Sequence, residues 1–241
     1  MKKHIPNFIT LLNLLSGVFS IYFSFTGNLK LAGLMIFVAA VFDFFDDFVA
    51  RILNARSDIG LQLDSLADVV SFGVAPAFVL FQTILLAGKI QGMTTNNLAF
   101  TAFIIPLFAA LRLAKFNIDE NQTTSFKGMP TPAVAIFFAS LPIVILICLA
   151  DNPGFYYTTV TSPWFLSGAG IVFSLLMVSK IPMFSLKFKS ASWPEHQAQY
   201  IFLILSVFLL IILKIAAIPL IILLYLVLSL VFYLINESKK G

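Results

Sequence analysis

The chain has 241 residues, of which 60% are hydrophobic and only 11% charged, and its mean hydropathy is +0.99. Those values exclude a soluble globular domain and place the chain in a bilayer. The formal net charge of +4, with no RNA-binding motif, low-complexity tract or clear internal repeat beside it, reads as an orientation signal and an attraction to anionic lipid rather than a nucleic-acid footprint.

Apolar stretches near the length needed to cross ~30 Å of hydrocarbon recur along the whole sequence. The first, 5–25, follows Met1-Lys2-Lys3 as a signal peptide would. It lacks a convincing small-residue cleavage site and runs straight into another apolar stretch, so it is read as a retained span. Further spans are predicted at 30–50, 60–88, 95–116, 131–150, 160–178, 198–215 and 216–236. The segment 160–178 is short enough to be tilted or shallow. Only Lys214 and Pro219 punctuate the last two, which leaves a re-entrant or kinked arrangement open there. The expectation is an all-α integral membrane protein, a polytopic bundle of about eight transmembrane helices, forming a single membrane-embedded catalytic domain over 1–241.

An even number of spans puts both termini on one side. Lys2, Lys3, Arg51, Arg56, Arg112, Lys115, Lys127, Lys180, Lys187, Lys189, Lys239 and Lys240 fall on that side, against Lys30, Lys89 and Lys214 opposite. The bias assigns the termini to the cytoplasm. The single Cys148 lies inside an apolar run, so no disulfide within one chain is possible, and it reads as a small lipid-facing or core residue.

Six of the 11 acidic residues, Asp43, Asp46, Asp47, Asp58, Asp64 and Asp68, crowd together where spans two and three meet the cytoplasmic side. A carboxylate near the membrane centre costs roughly 2.5–3.5 kcal/mol on insertion scales, so such a group needs water, cations or a ligand. Asp43, Asp46 and Asp47 stand at i, i+3 and i+4, and Asp64 and Asp68 at i, i+4, so each set lies along one helical face. The stretch from Arg51 to Ile59 is long enough for a turn that brings the faces together. Four or five carboxylates at close range cannot all stay ionised without cations between them. All-oxygen ligands select a hard cation, Mg²⁺ or else Mn²⁺ or Ca²⁺, and no Cys/His set exists for zinc. His4 and His196 read as solvated or interfacial residues. Phe42, Phe44, Phe45, Phe48 and Val49 are interleaved with the acids, which argues against a merely solvated acidic loop.

Written out, the segment is Asp43-Phe-Phe-Asp46-Asp47-Phe-Val-Ala50-Arg51, eight residues, then Gly60-x3-Asp64-x3-Asp68. This resembles the signature of the CDP-alcohol phosphatidyltransferase family, Asp-x2-Asp-Gly-x2-Ala-Arg-x8-Gly-x3-Asp-x3-Asp, with Asp47 standing where the family has its first Gly. By that resemblance Asp43, Asp46, Asp64 and Asp68 are ligands of a two-metal site for Mg²⁺ or Mn²⁺, which neutralises a diphosphate and steadies attacking and leaving oxygens. Asp68 is also the general base. Ala50 and Gly60 leave room for the CDP-lipid, Arg51 answers phosphate charge, and Asp47 either hinders the nucleotide, accepts a ribose hydroxyl or contacts metal.

Asp64-Ser-Leu-Ala-Asp68-Val-Val-Ser-Phe-Gly73-Val-Ala-Pro76, Arg112-Leu-Ala-Lys115-Phe-Asn117, Phe126-Lys-Gly-Met-Pro130-Thr-Pro132, Val178-Ser-Lys180-Ile-Pro and the opening Ile5-Pro-Asn7-Phe-Ile-Thr10-Leu-Leu-Asn13-Leu-Leu-Ser-Gly17 are similar to the bacterial branch of the family that acts on serine. The tail from 198 is apolar and carries no such motif. The resemblance implies transfer of a phosphatidyl group from CDP-diacylglycerol to L-serine, at the cytoplasmic face of the inner membrane, by a homodimer. Serine carries a carboxylate, and Arg112, Lys115 and Lys127 are the cations available for it or for a phosphate. The same three also suit positive-inside anchoring. The other readings are transfer to glycerol 3-phosphate or inositol phosphate, a membrane cation transporter, and a catalytically impaired scaffold.

Overall fold

The structure is a computed structural model that describes residues 4–55, 57–118, 126–148, 154–184 and 196–238. Among these residues the chain forms nine helices: α1 (His4–Phe25), α2 (Leu29–Ile52), α3 (Asp58–Gln91), α4 (Asn96–Ile118), α5 (Thr131–Cys148), a short α6 (Phe155–Val160), α7 (Pro163–Met177), α8 (Gln197–Leu213) and α9 (Ala217–Ser238). Two-residue strands β1 (Phe126–Lys127) and β2 (Pro182–Met183) pair antiparallel, Phe126 opposite Met183 and Lys127 opposite Pro182. The protein is an all-helical, multi-pass membrane protein. α1, α3, α4 and the stretch Gln197–Ile235 are long and apolar enough to cross a bilayer, and α5 and α7 are shorter apolar helices. α2 has 24 residues but carries three carboxylates in its second half.

α3 and α5 lie at the centre of the bundle. Apolar residues of α5 are buried all round the helix, including Val134, Phe137, Phe138, Leu141 and Ile145. That is the pattern of a helix surrounded by others. Phe72, Leu80 and Ile84 of α3, Ile105 of α4 and Leu166 of α7 complete this core. α1 packs beside it through small residues, since Ser16, Gly17, Ser20 and Ser24 are all buried. A Cβ on Gly17 would come within 2.5 Å of Ser71 Oγ and 2.8 Å of its Cα. Such close backbone approach is how helices associate in lipid, where no hydrophobic force drives them together.

Although the sequence predicts uniform helix there, α3 changes winding. Asp58–Asp68 is α-helical, Val69–Val74 is π-helical, and Ala75–Gln91 returns to α. Ser71, inside the π turn, donates its hydroxyl to the carbonyl of Asn13 at 3.0 Å. The wide turn thus begins immediately after Asp68, at the point where α3 is pressed against α1.

Between α2 and α3 the chain reverses tightly. Asn54 adopts φ +47°, and Ala55 N–H bonds back to the Ala50 carbonyl at 2.9 Å, which closes α2 with a left-handed cap that Asn tolerates better than most residues. Ser57 then caps α3, accepting from Gly60 N–H at 3.1 Å. At the far end of the chain Lys214 bends the helix at φ +50°. The rings of Phe202 and Tyr225 lie 5.8 Å apart, so α8 and α9 fold back on one another as an antiparallel hairpin.

The described basic residues fall at two ends of the bundle in the two groups drawn from the sequence. Arg51, Arg112, Lys115, Lys127 and Lys180 lie at the end where α2 and α4 finish and α3 and α5 begin. Lys30, Lys89 and Lys214 stand at the opposite turns. Lys2, Lys3, Arg56, Lys187, Lys189, Lys239 and Lys240 lie outside the described residues, as does the side chain of Cys148. His196 is buried, 6% exposed, which excludes the solvated one of its two readings and leaves the interfacial one; the chain entering α8 is tucked into the bundle there, and Ala198 is buried with it.

Candidate active site

Three helices converge on the acidic cluster. Asp43 from α2 and Asp64 and Asp68 from α3 each offer an oxygen, and these oxygens all lie within 4.8 Å of one another. The i, i+4 spacing of Asp64 and Asp68 puts both on the face of α3 that looks at α2. Asp68 is buried, and Asn13 of α1 donates its amide to Asp68 Oδ1 at 3.3 Å. Asp64 Oδ1 and Asn13 Oδ1 are both buried without a hydrogen-bond partner. A buried acceptor with no donor is costly, and a hard cation between these oxygens would satisfy both the orphan atoms and the mutual repulsion of the carboxylates. The donor set fits a divalent metal ion.

Asp46, one turn beyond Asp43, stands outside the close trio; it is buried and accepts the Thr10 hydroxyl at 2.6 Å. Asp47 and Arg51 form an ion pair at 2.6 Å, with side chains 63% and 45% exposed respectively. The carboxylate at the unusual signature position is therefore engaged by the signature arginine on the outer face of α2. Ala50 is half-buried beside them, and Gly60 sits where a Cβ would come within 3.1 Å of Asn7 Oδ1. Asp58 is exposed at the start of α3.

Below the trio a cavity of about 300 Å³ opens between α3, α4, α5 and α9, lined by Asp64, Asp68, Arg112, Asn117, Thr131 and Tyr225 among others. Arg112 donates Nη1 to Thr131 Oγ1 at 2.8 Å, while its Nε is buried without a partner. Asn117 donates to Ser65 Oγ at 2.8 Å, tying α4 to α3. Arg112 also borders a second cavity of about 420 Å³, shared with Lys115, Lys127 and Lys180. The Gly128 turn that carries Lys127 requires glycine twice over, because its φ is +77° and a Cβ would strike the Met177 carbonyl. Gly128 and Met129 donate to the Ile181 and Leu176 carbonyls at 2.8 and 3.0 Å, and helix α5 starts at Thr131 as expected.

Sequence reasoning missed four partners. Thr10 and Asn13 were quoted in the opening motif without a role; their i, i+3 spacing on an apolar span was the available signal, since polar side chains inside a membrane helix require partners. Thr131 begins the predicted span 131–150, and its sequence context gives it no further role. Tyr225 is one aromatic in an aliphatic run, and nothing in its neighbours marks it.

The CDP-alcohol phosphatidyltransferase family model matches residues 3–176, which takes in α1 to α7 and every acidic residue of the cluster. The chain belongs to the CDP-alcohol phosphatidyltransferase family. It is similar to the CDP-diacylglycerol–serine O-phosphatidyltransferases of Mycobacterium leprae (36% identical over 212 residues, 85% of this chain and 65% of that protein) and Bacillus subtilis (37% over 179 residues, 74% and 89%). The one from Helicobacter pylori strain J99 is 34% identical over 190 residues, 78% of this chain and 74% of that protein. The chain thus spans just under two thirds of the mycobacterial relative and most of the other two. α8 and α9 lie beyond the segment that the family model matches.

Proposed function

We propose that this family member transfers the phosphatidyl group of CDP-diacylglycerol to L-serine, giving phosphatidylserine and CMP. The observation that carries the reading is one cavity shared by Asp64 and Asp68 on one side and Arg112, with a buried unpartnered Nε, on the other. The names of the relatives support the choice of acceptor. Serine differs from inositol phosphate and glycerol 3-phosphate in bringing a carboxylate, and an arginine fork is its complement. Arg112 takes that carboxylate, which leaves the serine hydroxyl for Asp68.

Asp68 accepts the hydroxyl proton as general base. The serine oxygen forms a bond to the β-phosphorus, the bond from that phosphorus to the CMP oxygen breaks, and CMP leaves with the electron pair. Mg²⁺ or Mn²⁺, as a pair of ions held by Asp43, Asp46, Asp64 and Asp68, supplies charge neutralisation for the diphosphate and the developing oxyanions. Ala50 and Gly60 leave space for the nucleotide, and Arg51 shares its charge between Asp47 and phosphate. Lys115 and Lys127 line the outer cavity, where they suit the acceptor's carboxylate or a phosphate. The site and both termini face the cytoplasm in the inner membrane, and the enzyme acts as a homodimer through membrane helices.

The test is incubation of the purified protein with CDP-diacylglycerol, Mg²⁺ or Mn²⁺ and each candidate alcohol, following CMP release and the lipid formed. The expected result is serine-dependent CMP release that disappears with EDTA and falls about 10²–10⁴-fold in Asp68→Asn. Equal release with every alcohol, or with none, overturns the assignment.

A further inference from the structure

The acceptor cavity is completed by a part of the chain that the family match does not reach. Tyr225 of α9 and Phe184, just after β2, both line it together with Asp68 and Arg112. Tyr225 is only 6% exposed, and its hydroxyl donates to the Phe184 carbonyl at 3.0 Å. Its ring lies 4.9 Å from that of Phe184 and 5.8 Å from that of Phe202 on α8, both edge-on. A buried aromatic held at its tip by a hydrogen bond and on its ring by two others has no freedom to swing away.

The position of this wall is coupled to the position of Arg112. Phe184 follows β2, β2 pairs with β1, and the chain runs from β1 through Gly128 to Thr131, which accepts from Arg112. The guanidinium and the aromatic wall are therefore held on one connected set of backbone contacts, and the gap between them is set by the fold. A cavity of about 300 Å³ is at the small end for ligand sites, which run to ~1,000 Å³. Tyr225 forms part of the wall of that cavity, so truncating its ring enlarges the space open to the acceptor beside Arg112.

We propose that Tyr225, presented by the α8–α9 hairpin, is an acceptor-selecting residue that sets the size of the alcohol admitted between Asp68 and Arg112. The proposal rests on the serine reading above for the identity of the acceptor. Its chemistry is steric, since the Tyr225 hydroxyl is committed to the Phe184 carbonyl.

The experiment uses full-length Tyr225→Ala, Tyr225→Leu and Phe184→Ala, with Ile211→Ala, an exposed residue on the outer face of α8, as the control for general hairpin disturbance. KM and kcat are measured for CDP-diacylglycerol, for serine and for two larger primary alcohols, α-methylserine and homoserine. The expected result for Tyr225→Ala is a serine KM raised at least tenfold with the CDP-diacylglycerol KM within twofold. The ratio of kcat/KM for homoserine to that for serine should rise at least tenfold, with Tyr225→Leu and Phe184→Ala shifted in the same direction and Ile211→Ala unchanged. Unchanged selectivity in Tyr225→Ala and Tyr225→Leu overturns the proposal, as does a parallel rise in both substrates' KM, which would mark the hairpin as structural only. A wild-type enzyme that turned over a different alcohol would overturn the serine reading instead, and the same variants assayed on that alcohol would still decide whether Tyr225 sets acceptor size.

Discussion

Replacing Thr10 with Val isolates one contact of the carboxylate cluster. The change is close to isosteric, and it removes a single hydroxyl proton that has two acceptors within reach, Asp46 Oδ2 at 2.6 Å and the Pro6 carbonyl at 3.1 Å. The proton can serve only one at a time, and the shorter, charged partner wins. Asp46 is only 6% exposed, so no water replaces the lost donor. Hydrogen bonds to charged groups contribute about 1.5–3 kcal/mol. At about 1.4 kcal/mol per factor of ten, that corresponds to roughly 10–100-fold, the range seen when the partner of a metal-ligating side chain is removed. The assay is Mg²⁺ titration of CMP release at saturating CDP-diacylglycerol and serine, with thermal unfolding measured in parallel. The half-saturating Mg²⁺ concentration should rise about 10–100-fold in Thr10→Val and return toward wild type in Thr10→Ser, which restores the hydroxyl. A Val variant whose Mg²⁺ dependence stays within twofold of wild type would refute a role for Thr10 in orienting Asp46.

Gly17→Val places side-chain atoms into Ser71, at the π turn that follows Asp68; overpacking of this kind destabilises by about 1–3 kcal/mol, visible as a lowered unfolding temperature together with lost activity. Asp47→Gly releases Arg51 from its ion pair, and the CDP-diacylglycerol KM should fall. Its effect on stability should stay near ~1 kcal/mol, because the pair is exposed and a helix-interior glycine costs about that much; weaker CDP-lipid binding would show Asp47 to be a working ligand. Arg112→Gln should raise the serine KM at least tenfold and leave the CDP-diacylglycerol KM within twofold, and steady-state kinetics with each substrate varied in turn will separate the two.

The membrane class, most helix boundaries and the acidic cluster were legible in the sequence, because each depends on residues close together in the chain; the span 160–178 is the exception, since the chain turns at Thr161–Ser162 and the helix begins at Pro163. Hydropathy over some twenty residues sets a span, and an i, i+4 spacing sets a shared face. The predicted limits 30–50 and 60–88 therefore fall inside Leu29–Ile52 and Asp58–Gln91, and 95–116 agrees with Asn96–Ile118 to within two residues at either end. Even the Asp47–Arg51 pair is local in this sense, being one helical turn long. Only the tertiary structure decided which carboxylates meet and what supports them. Thr10 reaches Asp46 across 36 residues and Asn13 reaches Asp68 across 55, and both contacts depend on how closely α1 approaches α2 and α3. The π turn after Asp68 arises from that same approach, where Gly17 admits Ser71. Tyr225 was the least legible of all, because its place in the cavity is set by a bend at Lys214 and by the register of two aliphatic helices, and uniform apolar sequence specifies register weakly.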